Sequence, residues 1–304
     1  MSYSETFLNK NKISTPKISK EELEKFNSDS LELSKYYLDY QNYSLLHNPF
    51  RKFPYFTASN IDGALFKKIK REDLFSGSDR WSKDNRIPYS SQFGKELYSA
   101  DKSDFDKGHM TKREDVQWGT DIESAKKAAE STFYYTNAIP QLDRLNRGVW
   151  RKIEDYILHH EVVKSNLKIS LFTGPALRND DPEFVTIINN ELVKLPYLFW
   201  KVVYYLKEDD LFRTGFITSQ KKLLEKRRIT KPLSRGPSTT REYFTKFKDA
   251  ETYQVKVSFI EKLCELQFAE ATETFQDDTP EKLILSGIEV RADKVLNGTI
   301  NLKL

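Results

Sequence analysis

Asp106-Lys107-Gly108-His109, then Asn137-Ala138-Ile139-Pro140-Gln141, then Asn146-Arg147-Gly148-Val149-Trp150-Arg151-Lys152-Ile153-Glu154: these three stretches, in this order, decide how the chain is read. Histidine titrates near neutrality, so it can take a proton from water. A hard divalent cation such as Mg²⁺ stabilises charge gathering on a phosphate. It favours oxygen ligands and keeps several waters, so one amide carbonyl and one supporting carboxylate are enough protein contribution. One histidine, two asparagines and a glutamate in this order point to hydrolysis of a phosphodiester with a single metal ion.

Each residue also has a plainer reading. Asparagine is a favoured N-cap, and Asn146 stands where a helix is expected to start. Glu154 follows eight residues on, a little over two turns, which places it on roughly the same helix face. An amide oxygen and a carboxylate so placed can share one hydrated ion. Gly108 is expected to let the backbone turn tightly and bring His109 to substrate. His159 and His160 fall near the end of the Glu154 helix, where a cation suits the dipole. His47 has no partner visible in the sequence. Trp150 and Trp200 read as core anchors, and Cys264 as a buried small hydrophobe.

At 304 residues, with 38% hydrophobic and 13% aromatic content, the chain can bury one sizeable core. Charged residues make up 31% and mean hydropathy is -0.65. No run of about 18 apolar residues offers a membrane span. The lone cysteine excludes an internal disulfide and a cysteine-rich zinc site. A net charge of +4 speaks only faintly for a polyanionic partner. Met1–Lys20 lacks the apolar core of a secretory signal and the arginine-rich character of a transit peptide, so a cytoplasmic protein is expected, with export by a leaderless route left open.

Residues 1–50 read as a polar arm with a helical stretch near Glu21–Tyr43, packed on a main domain at 51–275, with a tail at 276–304. Strands are expected at Phe53–Asn60, Lys168–Thr173 and Tyr197–Leu206, and more weakly at Arg213–Thr218 and Gln254–Val257. Helices are expected at Asp121–Thr132, Arg147–His160 and Ser258–Leu266. Strands mixed irregularly with helices favour an α+β core with an antiparallel or mixed sheet. Residues 219–248 form a basic insertion carrying Lys221, Lys222, Lys226, Arg227, Arg228, Lys231, Arg235, Arg241, Lys246 and Lys248. It reads either as a solvated face or as a phosphate-contacting loop.

The three quoted stretches resemble the DNA/RNA non-specific endonucleases of the ββα-metal (His-Me finger) fold, a group that includes the secreted Serratia-type nuclease and mitochondrial endonuclease G. That family's signature is Asp-Arg-Gly-His, Asn-x-x-Pro-Gln, and Asn-x-Gly-x-Trp ending in a glutamate. Ser78-Asp79-Arg80-Trp81, Leu171-Phe172-Thr173-Gly174-Pro175 and Leu195-Pro196-Tyr197-Leu198-Phe199-Trp200-Lys201-Val202 extend the likeness over roughly residues 53–270.

The resemblance implies a sugar-non-specific endonuclease acting on DNA and RNA with Mg²⁺, Mn²⁺ or another divalent cation. It implies His109 as general base, Asn146 as direct metal ligand and Glu154 as holder of a metal-bound water. Arg80 would stabilise the phosphate, Asn137 would organise the site through hydrogen bonds, and Gln141 would be structural. Lys107, Lys226, Arg227 and Arg228 are the expected substrate contacts. Lys107 departs from the family's arginine, which keeps the charge and loses the bidentate fork. A homodimer and an inhibitory partner are further expectations. Two alternatives stand beside this reading: a catalytically weak nucleic-acid-binding protein of the same fold, and a phosphodiesterase acting on small nucleotides.

Overall fold

The computed structural model describes residues 1–9, 11–75, 80–231, 248 and 251–283. Its strands are Lys17–Ile18 (β1), Tyr37–Tyr40 (β2), Tyr43–Asn48 (β3), Phe53–Asp62 (β4), Phe105–His109 (β5), Ala138–Leu142 (β6), Lys168–Pro175 (β7), Leu198–Lys207 (β8), Asp210–Ser219 (β9), Thr252–Val255 (β10), Leu266–Gln267 (β11), Thr272–Glu273 (β12) and Glu281–Lys282 (β13). The helices are Lys20–Ser28 (α1), Lys95–Tyr98 (α2), Ile122–Ser131 (α3), 145–163 (α4), Lys221–Arg227 (α5) and Val257–Cys264 (α6).

Nine strands form one sheet in the order β13-β10-β9-β8-β7-β4-β3-β2, with β12 beside β9. Every pairing in it is antiparallel except that of β12 with β9. All ten residues of β4 are buried, because the sheet is covered on both faces and its central strands have no polar side to show water. Thr57, Thr173 and Lys201 line up across β4, β7 and β8 on one face. The neighbouring row, Phe172, Trp200 and Tyr204, points the other way.

The two faces are covered differently. On the first lie α3 and α4, with Trp150 6.1 Å from the ring of Phe199 and the hydroxyl of Tyr43 donating to Ser131 O at 2.7 Å. Across the second runs a belt of irregular chain from both ends of the described sequence. Tyr3 packs on Phe172 at 5.4 Å, Phe268 packs on Trp200 at 5.4 Å, and Tyr204 donates to Ala269 O at 2.5 Å. The pairing of β1 with β11 fastens the belt.

The expected helix over Glu21–Tyr43 is corrected: it ends at Ser28, after an N-cap in which Ser19 accepts from Glu22 N. Ser30 then takes a left-handed φ of 54°. The tyrosine-rich residues that follow fold as a hairpin turning at Asn42, whose φ is 68°. The sheet therefore begins before residue 50. The other expected strands and helices are present within a few residues, and Asp121 caps α3 by accepting from Ser124 N at 2.7 Å. Residues 232–247, with Arg235, Arg241 and Lys246, lie outside the described residues, as do residues 284–304 of the tail. Among the described residues, no helix is long and apolar enough to cross a membrane.

Candidate active site

The chemistry-bearing stretches converge because β5 and β6 pair antiparallel and α4 starts three residues after β6. His109 stands opposite Ala138 and Gly108 opposite Ile139. Gln220, buried at the end of β9, anchors the ribbon to the sheet. Its amide accepts from Leu142 N at 2.9 Å and donates to Pro140 O at 3.1 Å and Pro196 O at 2.9 Å.

Gly108 serves a purpose other than the expected tight turn. It lies within a strand, and a Cβ there would meet Gln141 Oε1 at 2.1 Å. The glycine makes room for a buried glutamine side chain that crosses the ribbon.

The His109 ring is half-buried between Trp81, 4.6 Å away, and Phe133, 4.9 Å away and edge-on. Behind it, Asn137 is fully buried. Its carbonyl accepts from Thr111 N at 2.9 Å, and its amide donates to Thr111 O and Thr132 O, both at 3.0 Å. It thereby pins the chain that leaves His109.

Asn146 opens α4 beside Asp106. The Asn146 Nδ2 donates to Asp106 Oδ2 at 3.0 Å, while Arg147 donates to both oxygens of the same carboxylate, at 2.8 and 2.5 Å. Burial works to raise the Asp106 pKa, but the hydrogen bonds from Arg147 and Asn146 prevail and hold it below the usual carboxylate range. An ionised carboxylate accepts only. Asp106 therefore fixes the orientation of the Asn146 amide and turns its carbonyl oxygen away.

Glu154 lies two turns further on and is buried against Lys201. The two meet at 3.2 Å, Lys201 fully buried and Glu154 nearly so, with its remaining exposure toward the cleft. Lys201 Nζ also donates to Thr173 Oγ1 at 3.1 Å and sits 4.7 Å over the ring of Trp150. Burial raises the pKa of Glu154, opposed by Lys201 and Lys112. Asp115, fully buried nearby, is pushed up to about 7 by the same cause against the same two lysines.

His109, Lys107, Asp106, Asn146 and Glu154 line one cleft of about 630 Å³. Lys107 lies 5.8 Å over the ring of Tyr98. Arg80 is exposed, one residue before Trp81, and Ser78 and Asp79 lie outside the described residues. Lys226, Arg227 and Arg228 do not line the cleft. Arg227 instead pairs with Asp104 and Asp143 at the open end of the ribbon. A larger cavity of about 810 Å³, between α1 and α6, holds none of these groups. Its charged walls pair internally, as Arg178 does with Asp180 at 2.8 Å.

Among the described residues, Glu114, Asp155 and His159 form the cluster whose ligand-type atoms come together within 4.8 Å. Lys112 already supplies a cation there, 2.8 Å from Glu114 and 2.5 Å from Asp155. Burial opposes ionisation of Glu114, but His159 and Lys112 hold its pKa well below the usual range. An internal ion-pair network accounts for the cluster.

Lys112, Asp115 and Lys201 were not expected as site residues. One signal was present: Leu198-Phe199-Trp200-Lys201-Val202-Val203 places a lone charge in an apolar strand, which calls for a buried counter-charge.

A model of the DNA/RNA non-specific endonuclease family matches residues 24–275, and the chain belongs to that family. It is 35% identical over 235 residues to the uncharacterized protein y4fB of Sinorhizobium fredii, covering 73% of this chain and 32% of that protein. Against human mitochondrial endonuclease G it is 28% identical over 151 residues, 46% of this chain and 48% of the relative. The chain thus spans a third to a half of the length of these relatives. The fold is similar to that in the crystal structure of an EndoG/EndoGI complex described as showing the mechanism of EndoG inhibition, with a TM-score of 0.54 and 19% identity over 77% of this chain and 85% of that one.

Proposed function

We propose that the protein is a Mg²⁺-dependent, sugar-non-specific endonuclease that hydrolyses phosphodiester bonds of DNA and RNA in the cleft of His109 and Asn146. The observation that carries this reading is the orientation of Asn146. The ionised Asp106 accepts from its amide nitrogen, which leaves the carbonyl oxygen as the donor atom for a hard cation. Among the described residues no hydrogen bond reaches that oxygen. The succession β5, β6, α4 supports the ββα-metal reading of the fold.

The donor set fits a divalent ion that keeps most of its own water: one amide oxygen from Asn146, with the carboxylate of Glu154 behind it. Such an ion would neutralise charge gathering on the phosphate and the leaving oxygen. His109 takes a proton from the attacking water, whose oxygen bonds to phosphorus as the bond to the leaving sugar oxygen breaks. Trp81 and Phe133 hold the imidazole in place for that transfer. Arg80 and Lys107 supply positive charge to the phosphate, Lys107 as a point charge without a fork. Contact with the backbone alone predicts weak sequence preference. A protein inhibitor and a homodimer are fitting partners for such an enzyme.

The test is plasmid degradation with Mg²⁺ or with EDTA, comparing wild type, His109→Ala and Asn146→Ala at equal circular dichroism. Cutting by wild type alone, and only with metal, is expected. Equal cutting by His109→Ala would move the chemistry elsewhere, and binding without cutting by wild type would favour the weakly catalytic binding protein.

A further inference from the structure

Between Asp143 and Glu154, the chain carries Arg144, Arg147, Arg151 and Lys152 and no acid. Arg144, Arg147 and Arg151 are all exposed, Arg144 and Arg147 before and Arg151 after a break in the helical geometry at Gly148. Arg147 and Arg151 line the cleft, while Arg144, the residue before α4, does not. Midway along this row stands Gly148. Its backbone leaves the helical region at φ −101°, ψ −109°, and a Cβ built there meets nothing within 4 Å. The row of arginines therefore flanks a bare stretch of backbone that another molecule can approach closely.

The acids near this row are already neutralised. Asp104 and Asp143, at the end of the ribbon, are both held by Arg227. Asp155, at the far end, is held by Lys112 at 2.5 Å and lies 3.6 Å from Arg151. Arg147 is itself paired with Asp106, and Arg151 shares Asp155 with Lys112, so the positive charge left toward solvent comes from Arg144, Lys152 and, in part, Arg151.

We infer that this face of α4 is a phosphate track. Arg144 and Arg151 grip the backbone of the nucleic-acid strand to one side of the bond being cut. Seven residues of regular helix would span about 10 Å, the axial length of about three phosphates of one duplex strand. The inference rests on the nuclease reading above and adds to it where the strand runs.

The test uses the full chain, a short fluorescein-labelled DNA duplex and a small chromogenic phosphodiester too short to reach the track. Binding is followed by anisotropy in EDTA across a sodium chloride series, and hydrolysis of both substrates is measured with Mg²⁺. In Arg144→Gln/Arg151→Gln the slope of log affinity against log salt is expected to be shallower by about 1.8, because each lost contact removes about 0.9. Each single variant is expected to lose about half of that. Lys12→Gln/Lys35→Gln, which removes two exposed lysines elsewhere, is expected to keep the wild-type slope, and turnover of the small diester is expected to match wild type in Arg144→Gln, whose side chain does not line the cleft. A wild-type slope in the double variant would overturn the track while leaving the nuclease reading intact. So would a fall in small-diester turnover equal to the fall on DNA, since that would place the arginines in the chemistry. Wild type that neither binds the duplex nor cuts either substrate would overturn both.

Discussion

Replacing Lys201 with methionine keeps most of the side-chain volume and removes the cation that faces Glu154. At the observed 3.2 Å, and with an effective dielectric of about 20, the attraction between the two charges is about 5 kcal/mol. Burying the ammonium offsets part of that. The larger consequence falls on the partner, because Glu154 stays buried and loses its nearest counter-charge. Stranding one member of a buried pair costs about 3–5 kcal/mol, so Lys201→Met is expected to be destabilised by that amount near neutral pH. Because burial already raises the Glu154 pKa, a variant without Lys201 raises it further. The folded state then holds a proton that the unfolded chain has released, and the penalty appears as pH rises above the ordinary carboxylate range. Lowering the pH should shrink the deficit as Glu154 becomes neutral. Lys201→Met/Glu154→Gln removes the stranded charge and should recover most of the loss at neutral pH. Urea unfolding of wild type, Lys201→Met, Glu154→Gln and the double variant, at neutral and acidic pH, measures both effects. A single variant within about 1 kcal/mol of wild type at neutral pH would refute the reasoning. So would a double variant no more stable than the single one.

Three further outcomes follow from the same geometry. Asp106→Asn removes the carboxylate that orients the Asn146 amide, and is expected to weaken Mn²⁺ binding by isothermal titration and lower DNA cleavage, each by about 10–100-fold; unchanged metal affinity would show that Asn146 orients itself. Gly108→Ala puts a methyl where Gln141 Oε1 lies, with an expected cost of about 1–3 kcal/mol in chemical denaturation, and a companion Gln141→Ala should relieve much of it. His47 is fully buried and its pKa is lowered to about 4 by desolvation, despite the hydrogen bond to Ser91 O. Its contribution to stability is complete above the ordinary histidine pKa and is lost as pH falls toward the folded value. On acidification from neutrality to about pH 4, wild type should therefore lose about 3 kcal/mol more than His47→Gln, and parallel urea curves for the two would contradict this.

How much of this could be read from the residues alone varied with the kind of information each carries. The long strands β7 and β8 were legible because an apolar run of β-branched and aromatic residues has few other ways to be buried. Ribbon strands β5 and β6 were not, since five residues containing lysine, glycine or proline carry no strand propensity. The ribbon is tied to the sheet by Gln220, distant in sequence. The order of His109, Asn137, Asn146 and Glu154 pointed to a site, and they do gather around one cleft or directly behind it. What the order could not reveal was the electrostatic support. Asp106 reads as the neighbour of a histidine until the fold brings Asn146 and Arg147 to it. The apolar residues Leu23, Phe26, Leu31, Leu33 and 36–38 fit a helical period only imperfectly, which let one helix reading run on over what is a hairpin.

The salt bridge beneath Glu154 also imposes a schedule on synthesis. A growing chain holds His109, Asn137, Asn146 and Glu154 well before Lys201 exists, and β8 must dock beside β7 before that lysine reaches the carboxylate. Until then, Glu154 has no buried cation from the sheet and no reason to leave water. The clasp of β1 with β11 comes later still, joining residues 17–18 to 266–267. This order of assembly leaves the cleft incomplete until the sheet has formed behind it.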